Sequence, residues 1–292
     1  MGYGAWNLKD FTEYSKKMSR EVTKDGKLAG TYSNQEIFKV RELDRTLNPF
    51  GVTRECRDSE DHPETLPVIL ALDVTGSMGQ AAVEVARQLN VIMTKLYDQI
   101  KDVEFMIMGI GDFAYDAYPL QVSQFEADIR IAEQLDRLYF EFGGGGNLYE
   151  SYTAAWYFAL HHTQLDAWDR GKKGIIITMG DERLNPYIPK SGRKTSMEKV
   201  FGDHTQGDVE TRDLYQEISE KYEVFHLDVD HRRRSDEKNI RESWRKYLDG
   251  THFRSVTIDS IADEIVDIIV HADQGTGEHR RDLKNVLKEI FW

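Results

Sequence analysis

The chain has 292 residues, of which 40% are hydrophobic and 30% are charged, so it is long enough to bury one large core. Its 38 Lys and Arg against 51 Asp and Glu give a net charge of −13, which argues against nucleic acid as a partner. The apolar runs are about strand length, far short of the ~20 residues of a membrane span, so we expect no membrane partner.

The expected location is the cytoplasm. The first residues contain no basic segment followed by an apolar core, so the sequence predicts no secretory signal. Cys56 is the single cysteine, which rules out a disulfide within the chain and a cluster of thiolate metal ligands. Both features fit a protein of a reducing compartment.

Residues 1–66 differ in composition from the rest of the chain. The pattern predicts a helix from Leu8 to about Val22, and a charged, irregular stretch from Ile37 to Glu64. This part has too few apolar residues to bury a core of its own. We therefore expect an N-terminal extension, residues 1–66, that packs on the main domain.

From Pro67 onward, predicted strands alternate with predicted helices. The strands are expected at residues 67–73, 103–110, 120–122, 174–178, 222–227 and 252–257. The helices are expected at residues 79–100, 125–139, 149–164, 208–221, 238–248, 259–271 and 279–292. This alternation predicts an α/β fold class, with a doubly wound, mainly parallel central sheet and helices on both faces. The main domain is expected at 67–271 and a C-terminal helix within 272–292.

Three loops carry residues that suit a metal ion. The first holds Asp73, Thr75 and Ser77, the second is the glycine-rich loop with Asn147, and the third holds Asp181. Loops that follow parallel strands leave the same edge of a sheet, so these five side chains are expected to converge. Carboxylate and hydroxyl oxygens suit a hard cation, Mg²⁺ or Mn²⁺.

Further acidic residues near these loops are candidates for the outer sphere of such a site. They are Asp112, Glu150 and Glu182. Other roles remain open. Ser77 with Gln80, and Asn147 with Glu150, have the spacing of helix caps, and Asp112 could simply form a turn.

The three loops resemble the motifs of von Willebrand factor A (VWA) domains with a metal-ion-dependent adhesion site. Residues 73–77 match the family's Asp-x-Ser-x-Ser motif, with Thr75 in place of the first serine. Residues 144–150 resemble the glycine-rich second motif, with Asn147 in place of an aspartate. The third motif is Thr-Asp-Gly, whereas residues 178–181 place the carboxylate two positions later.

The resemblance implies a Rossmann-like VWA fold of the intracellular bacterial or phage type. It implies a protein–protein interaction module without catalytic activity, in which Asp73, Thr75, Ser77, Asn147 and Asp181 hold Mg²⁺ or Mn²⁺. An Asp or Glu carboxylate of a protein partner would complete the metal's ligand shell. The resemblance also suggests an AAA+ ATPase as partner, or a role in an assembly or stress system.

Two other functions remain open at this stage. Residues 73–77 are also similar to the nucleophile loop of haloacid-dehalogenase-like phosphatases, which would make Asp73 the nucleophile of a Mg²⁺-dependent phosphohydrolase. Lys172 or Lys173 would then bind the phosphate. Against this, helical periodicity begins almost directly after Gly79, where those enzymes usually insert a flap. The second alternative is a structural subunit with an inactive site.

Overall fold

A computed structural model describes residues 4–100, 102–140, 149–229 and 236–274. The glycine-rich loop with Asn147 and the predicted helix at 279–292 lie outside the described residues.

The described chain alternates helices and strands over most of its length. The helices are α1 (Leu8–Lys17), α2 (Asn34–Ile37), α3 (Gly79–Tyr97), α4 (Arg130–Leu135), α5 (Tyr152–His161), α6 (Asp166–Asp169), α7 (Met197–Phe201), α8 (Thr211–Lys221), α9 (Glu237–Trp244) and α10 (residues 261–274). The strands are β1 (Arg54–Cys56), β2 (Leu66–Asp73), β3 (Val103–Ile110), β4 (Leu120–Val122), β5 (Tyr149–Glu150), β6 (Thr163–Leu165), β7 (Gly174–Gly180), β8 (Arg183–Leu184), β9 (Tyr187–Ile188), β10 (Val209–Glu210), β11 (Tyr222–Val229) and β12 (Phe253–Val256). No helix among these residues is long and apolar enough to cross a membrane.

A six-stranded sheet forms the centre of the fold, with strand order β12-β11-β7-β2-β3-β4. Its neighbouring strands are parallel except for β4, which runs antiparallel to β3 at one edge. Strand β2 lies between β3 and β7, with Asp73 opposite Ile110 and Leu72 opposite Met179. The predicted α/β fold class with a mainly parallel sheet is therefore confirmed.

Helices cover both faces of the sheet because its central strands are apolar on both sides. All eight residues of β2 are buried. Val68, Leu70 and Leu72 face a core that includes side chains of α3, α4 and α10. Ile69 and Ala71 face a second core formed with α5, α8 and α9. A strand that is buried on both faces appears in the sequence as a continuous apolar run, as residues 67–72 do.

The first 66 residues share these cores. The first core takes in apolar side chains from this segment, namely Trp6, Phe11, Leu28, Ile37, Phe38 and Leu47. The guanidinium of Arg20 lies 2.8 Å from the carboxylate of Asp136 just after α4, and each side chain is only 6% exposed. Strand β1 pairs in parallel with β6. The segment is thus fastened to the central fold by packing, by a buried ion pair and by strand pairing.

Three predicted helices differ clearly from the structure. The helix predicted at 125–139 is restricted to Arg130–Leu135, because Glu126 instead forms an antiparallel bridge with Phe105. The helix predicted at 149–164 begins only at Tyr152, because the residues before it pair with β8. The first helix ends at Lys17 rather than near Val22. For the first two helices the boundary is decided by strand contacts that sequence periodicity does not show.

Candidate metal centre

Asp73 is the last residue of β2 and is completely buried at the carboxyl end of the sheet. Its Oδ1 accepts hydrogen bonds from the backbone N–H of Thr75 at 2.9 Å and from the Thr75 hydroxyl at 2.6 Å. A buried carboxylate is costly unless hydrogen bonds or a cation compensate its charge. The tight turn from Asp73 to Thr75 therefore stabilises the carboxylate and fixes its orientation.

Ser77 links this first loop to the third one. Its hydroxyl donates a hydrogen bond to Oδ1 of Asp181 at 3.0 Å and lies 3.4 Å from the Thr75 hydroxyl. The helix-cap role considered for Ser77 is not observed, since no side chain caps the start of α3. Asp181 directly follows β7, which extends two residues beyond its predicted end. Asp73, Thr75, Ser77 and Asp181 thus lie together at one edge, although 108 positions separate the first from the last.

Tyr152, at the start of α5, forms a contact that the sequence did not indicate. Its hydroxyl donates to Oδ2 of Asp73 at 3.2 Å and accepts from the backbone N–H of Glu182 at 3.3 Å. The ring passes so close to Gly180 that a Cβ at that position would overlap the Tyr152 hydroxyl. Gly180 therefore leaves room for a tyrosine that holds the carboxylate of Asp73 and the loop of Asp181 in place.

Four acidic residues lie near this group. Asp112, just after β3, is 2% exposed, and its Oδ1 accepts from the backbone N–H of Ala114, so the turn role considered for it is observed. Asp116 accepts from the backbone N–H of Asp112 at 2.7 Å. Glu150, in β5, is 6% exposed, and its Oε2 has no hydrogen-bond partner within the described residues. Glu182 contributes its backbone, with its carbonyl accepting from the indole N–H of Trp244 at 3.1 Å.

The electrostatics of this edge disfavour negative charge. Burial, together with the nearby Asp181 carboxylate, raises the pKa of Asp73 above its ordinary value. Burial also raises the pKa of Glu150, with further contributions from Asp73, Asp112, Asp116 and Glu182. Tyr152 keeps its proton because burial and the same carboxylates raise its pKa well above 10. A bound cation would offset this accumulation of negative charge.

The chemistry of these donors fits a hard divalent cation. Two carboxylates and two hydroxyls are linked by hydrogen-bonding distances at a strand end. Nearby, a buried oxygen of Glu150 has no hydrogen-bond partner among the described residues. Among the described residues, no group of three or more His, Cys, Asp and Glu side chains could hold a metal ion. A site here would depend on the hydroxyls of Thr75 and Ser77 as much as on carboxylates.

The lysines that the phosphatase alternative requires are far from Asp73. Lys172 and Lys173 precede β7, at the end of that strand opposite to Asp181. Lys173 pairs with Glu223 at 3.1 Å, and Lys172 lies 3.9 Å from Glu64. Neither lysine can reach a phosphate on Asp73. The phosphatase alternative therefore gains no phosphate-binding lysine from this pair.

Searches for relatives gave structural likeness and no sequence match. No family model matches the sequence, and the search of curated proteins found no sequence match. The pilus adhesin SpaC from Lactobacillus rhamnosus GG, in its open conformation, matches at 12% identity and a TM-score of 0.47, over 76% of this chain and 31% of that protein. The chain thus spans about a third of SpaC. The vWF domain of the pilus tip protein Mfa5 from Porphyromonas gingivalis matches at 13% identity and a TM-score of 0.47, over 72% of this chain and 96% of that domain.

Proposed function

We propose that this protein is a protein–protein interaction module of the VWA type, which binds its partner through a Mg²⁺ or Mn²⁺ ion. The observation that supports this proposal most strongly is the convergence of Asp73, Thr75, Ser77 and Asp181 at one edge of the sheet. Asn147 is proposed as a further ligand on the basis of its motif. Asp112, Glu150 and Glu182 would act from outside the ligand shell.

The charge of the ligand set explains why such a site would take an anionic partner. The hydroxyls of Thr75 and Ser77 are neutral, so an ion held directly by Asp73, Thr75 and Ser77, with Asp181 acting through water, would keep one uncompensated positive charge. Any shortfall in charge favours a carboxylate at an open position of the ion. The protein carries a net charge of −13, so an acidic partner is repelled at long range unless a local cation attracts it.

We propose a cytoplasmic protein partner, such as an AAA+ ATPase, that offers an Asp or Glu side chain.

The loop after Asp73 supports a binding function rather than phosphatase chemistry. After the Asp73 loop, a 3₁₀ turn at Gly76–Met78 leads directly into α3 at Gly79, which leaves no room for a flap between them. We therefore propose that the chain has no hydrolase activity of its own.

The proposal is tested by capture of partners from an extract of the source organism on the immobilised full chain. We expect a partner that is retained in millimolar Mg²⁺ and released by EDTA. It should also be lost with Asp73→Ala and with Ser77→Ala. Asp263→Ala is the matched control, because Asp263 is an exposed carboxylate on α10 that pairs with Lys95.

The partner's own carboxylates give the decisive comparison. Replacement of one Asp or Glu of the partner by its amide should abolish binding, because an amide cannot neutralise the ion. A partner that binds equally well in EDTA, or that tolerates every such replacement, would show that the proposed mechanism is wrong.

A further inference from the structure

A cleft of about 540 Å³ lies beside the candidate metal centre. This volume lies within the roughly 300–1,000 Å³ that is typical of ligand sites. Asp112 and Ser151 form part of its wall, and Ser151 directly precedes Tyr152, which donates to Asp73. The opposite wall is the segment from Asn185 to Arg193. The cleft and the metal centre therefore share one edge of the sheet.

The walls of this cleft are held by hydrogen bonds. The backbone N–H of Arg193 donates to the carbonyl of Ala114 at 2.7 Å, and that of Phe113 donates to the Ser151 hydroxyl at 2.8 Å. A Cβ at Gly192 would overlap the carbonyl of Phe113, so the two walls touch without a side chain between them. The cleft is thus preformed, which lowers the entropic cost of binding.

The accessible chemistry of the cleft combines tyrosines with one cation. Tyr115, Tyr149 and Tyr187 line it, and the guanidinium of Arg193 lies 5.5 Å from the centre of the Tyr115 ring. Arg193 is exposed and forms no ion pair with a described residue. The carboxylate of Asp112 is buried in the wall. In a chain of net charge −13, Arg193 is the cationic side chain among the residues that line the cleft.

We infer that the cleft binds the part of the partner that flanks its anchoring carboxylate, with an aromatic side chain between the tyrosines and a second carboxylate on Arg193. This inference rests on the proposed function, because the first carboxylate is the one at the metal. Aromatic side chains pack well against tyrosine faces, and a guanidinium pairs with a carboxylate through two parallel hydrogen bonds. The volume accommodates a short peptide segment rather than one side chain.

The test uses a phage-displayed library of random heptapeptides, selected on the wild-type chain in millimolar Mg²⁺. We expect enrichment of peptides in which an aromatic residue lies between two acidic ones. When the same library is selected on the Arg193→Glu variant, the preference for the second acidic residue should disappear. Arg212→Glu, which makes the same charge change at an exposed position of α8, should leave the preference unchanged.

Synthetic peptides then give the magnitude. Replacement of the second acidic residue by its amide should weaken binding to the wild type roughly tenfold, and binding to Arg193→Glu less than about twofold. Tyr187→Ser should remove the aromatic preference, whereas Tyr118→Ser, at an exposed tyrosine outside the cleft, should not.

The outcomes separate this inference from the proposed function. Equal effects of the amide on the wild type and on Arg193→Glu, or a library without an acidic and aromatic preference, would overturn the inference while leaving metal-dependent anchoring intact. Enriched peptides that bind equally in EDTA, but lose affinity in Arg193→Glu, would support the cleft and contradict the metal-dependent anchor.

Discussion

Asp73 lies in surroundings that restrict its carboxylate to one orientation. Both of its oxygens are engaged, Oδ1 by Thr75 and Oδ2 by the Tyr152 hydroxyl. The Tyr152 hydroxyl also accepts a hydrogen bond from the backbone N–H of Glu182, so a single hydroxyl connects the loops of Asp73 and Asp181. Groups that orient metal ligands in this way affect affinity without touching the ion.

Tyr152→Phe tests this positioning role. We expect Mg²⁺ affinity to fall about tenfold, because the variant removes the donor to Asp73 and keeps the ring that fills the core. The measurement is the melting temperature of each protein as a function of Mg²⁺ concentration. Tyr222→Phe is the matched control, since Tyr222 is an equally buried tyrosine whose hydroxyl contacts Thr163, outside the candidate centre. Equal Mg²⁺ affinity in Tyr152→Phe and the wild type would rule out the positioning role.

Glu104 illustrates a buried carboxyl away from the metal centre. It lies in β3, 3% exposed, and accepts a weak hydrogen bond from the Cys56 thiol at 3.2 Å. Burial is the main cause that raises its pKa above the ordinary value of 4.5. Between about pH 4.5 and the pKa of the folded state, Glu104 is protonated in the folded protein but ionised in the unfolded chain. The free energy of unfolding therefore falls as the pH rises through this range.

The substitution Glu104→Gln should remove this pH-dependent loss of stability. We expect the variant to have a higher free energy of unfolding than the wild type at pH 8, and a difference close to zero at pH 4, where Glu104 is protonated in both states. Urea denaturation across this pH range is the measurement. A difference that does not change with pH would contradict the explanation by burial.

At the scale of elements, the contact between Arg20 and Asp136 joins the N-terminal segment to the end of α4. Asp136 also accepts from the Tyr14 hydroxyl at 2.8 Å, and Arg20 donates to the carbonyl of Ile37 at 3.1 Å. This small network connects α1, α2 and α4. Removal of one partner of a buried ion pair destabilises a protein more than replacement of both partners by apolar residues, because the remaining charge is left buried without a counter-charge.

Arg20→Met should therefore lower the free energy of unfolding by about 3–5 kcal/mol. The double variant with Asp136→Leu should recover most of this loss, because neither charge is then buried alone. Chemical denaturation of the two variants and the wild type provides the comparison. A double variant as unstable as Arg20→Met would indicate that the loss comes from packing rather than from an uncompensated charge.

At the scale of the whole molecule, the sequence predicted the sheet better than the boundaries of its helices. The apolar run at 67–72 could be recognised because β2 is buried on both faces. The helix predicted at 125–139 was too long, because the bridge between Glu126 and Phe105 is a contact between distant residues.

The sequence likewise predicted part of the candidate site and missed another part. The convergence of Asp73, Thr75, Ser77 and Asp181 follows from the parallel order of β2 and β7. The role of Tyr152 was not predictable, because its hydroxyl reaches Asp73 across 79 positions of sequence and the residue appeared as part of a longer helix. Asn147 lies outside the described residues, so its role as a ligand stays a prediction.

Metal-dependent stabilisation of the folded chain tests the central claim most directly. A ligand that binds only the folded state raises the free energy of unfolding by about 2.7 kcal/mol at a hundredfold excess over its Kd. We expect the melting temperature of the wild type to rise with Mg²⁺ and with Mn²⁺ and to return to its starting value in EDTA. Asp73→Ala should remain folded and show no rise. A wild type whose melting temperature is unchanged at millimolar Mg²⁺, or an Asp73→Ala variant stabilised as much as the wild type, would contradict the proposed metal centre.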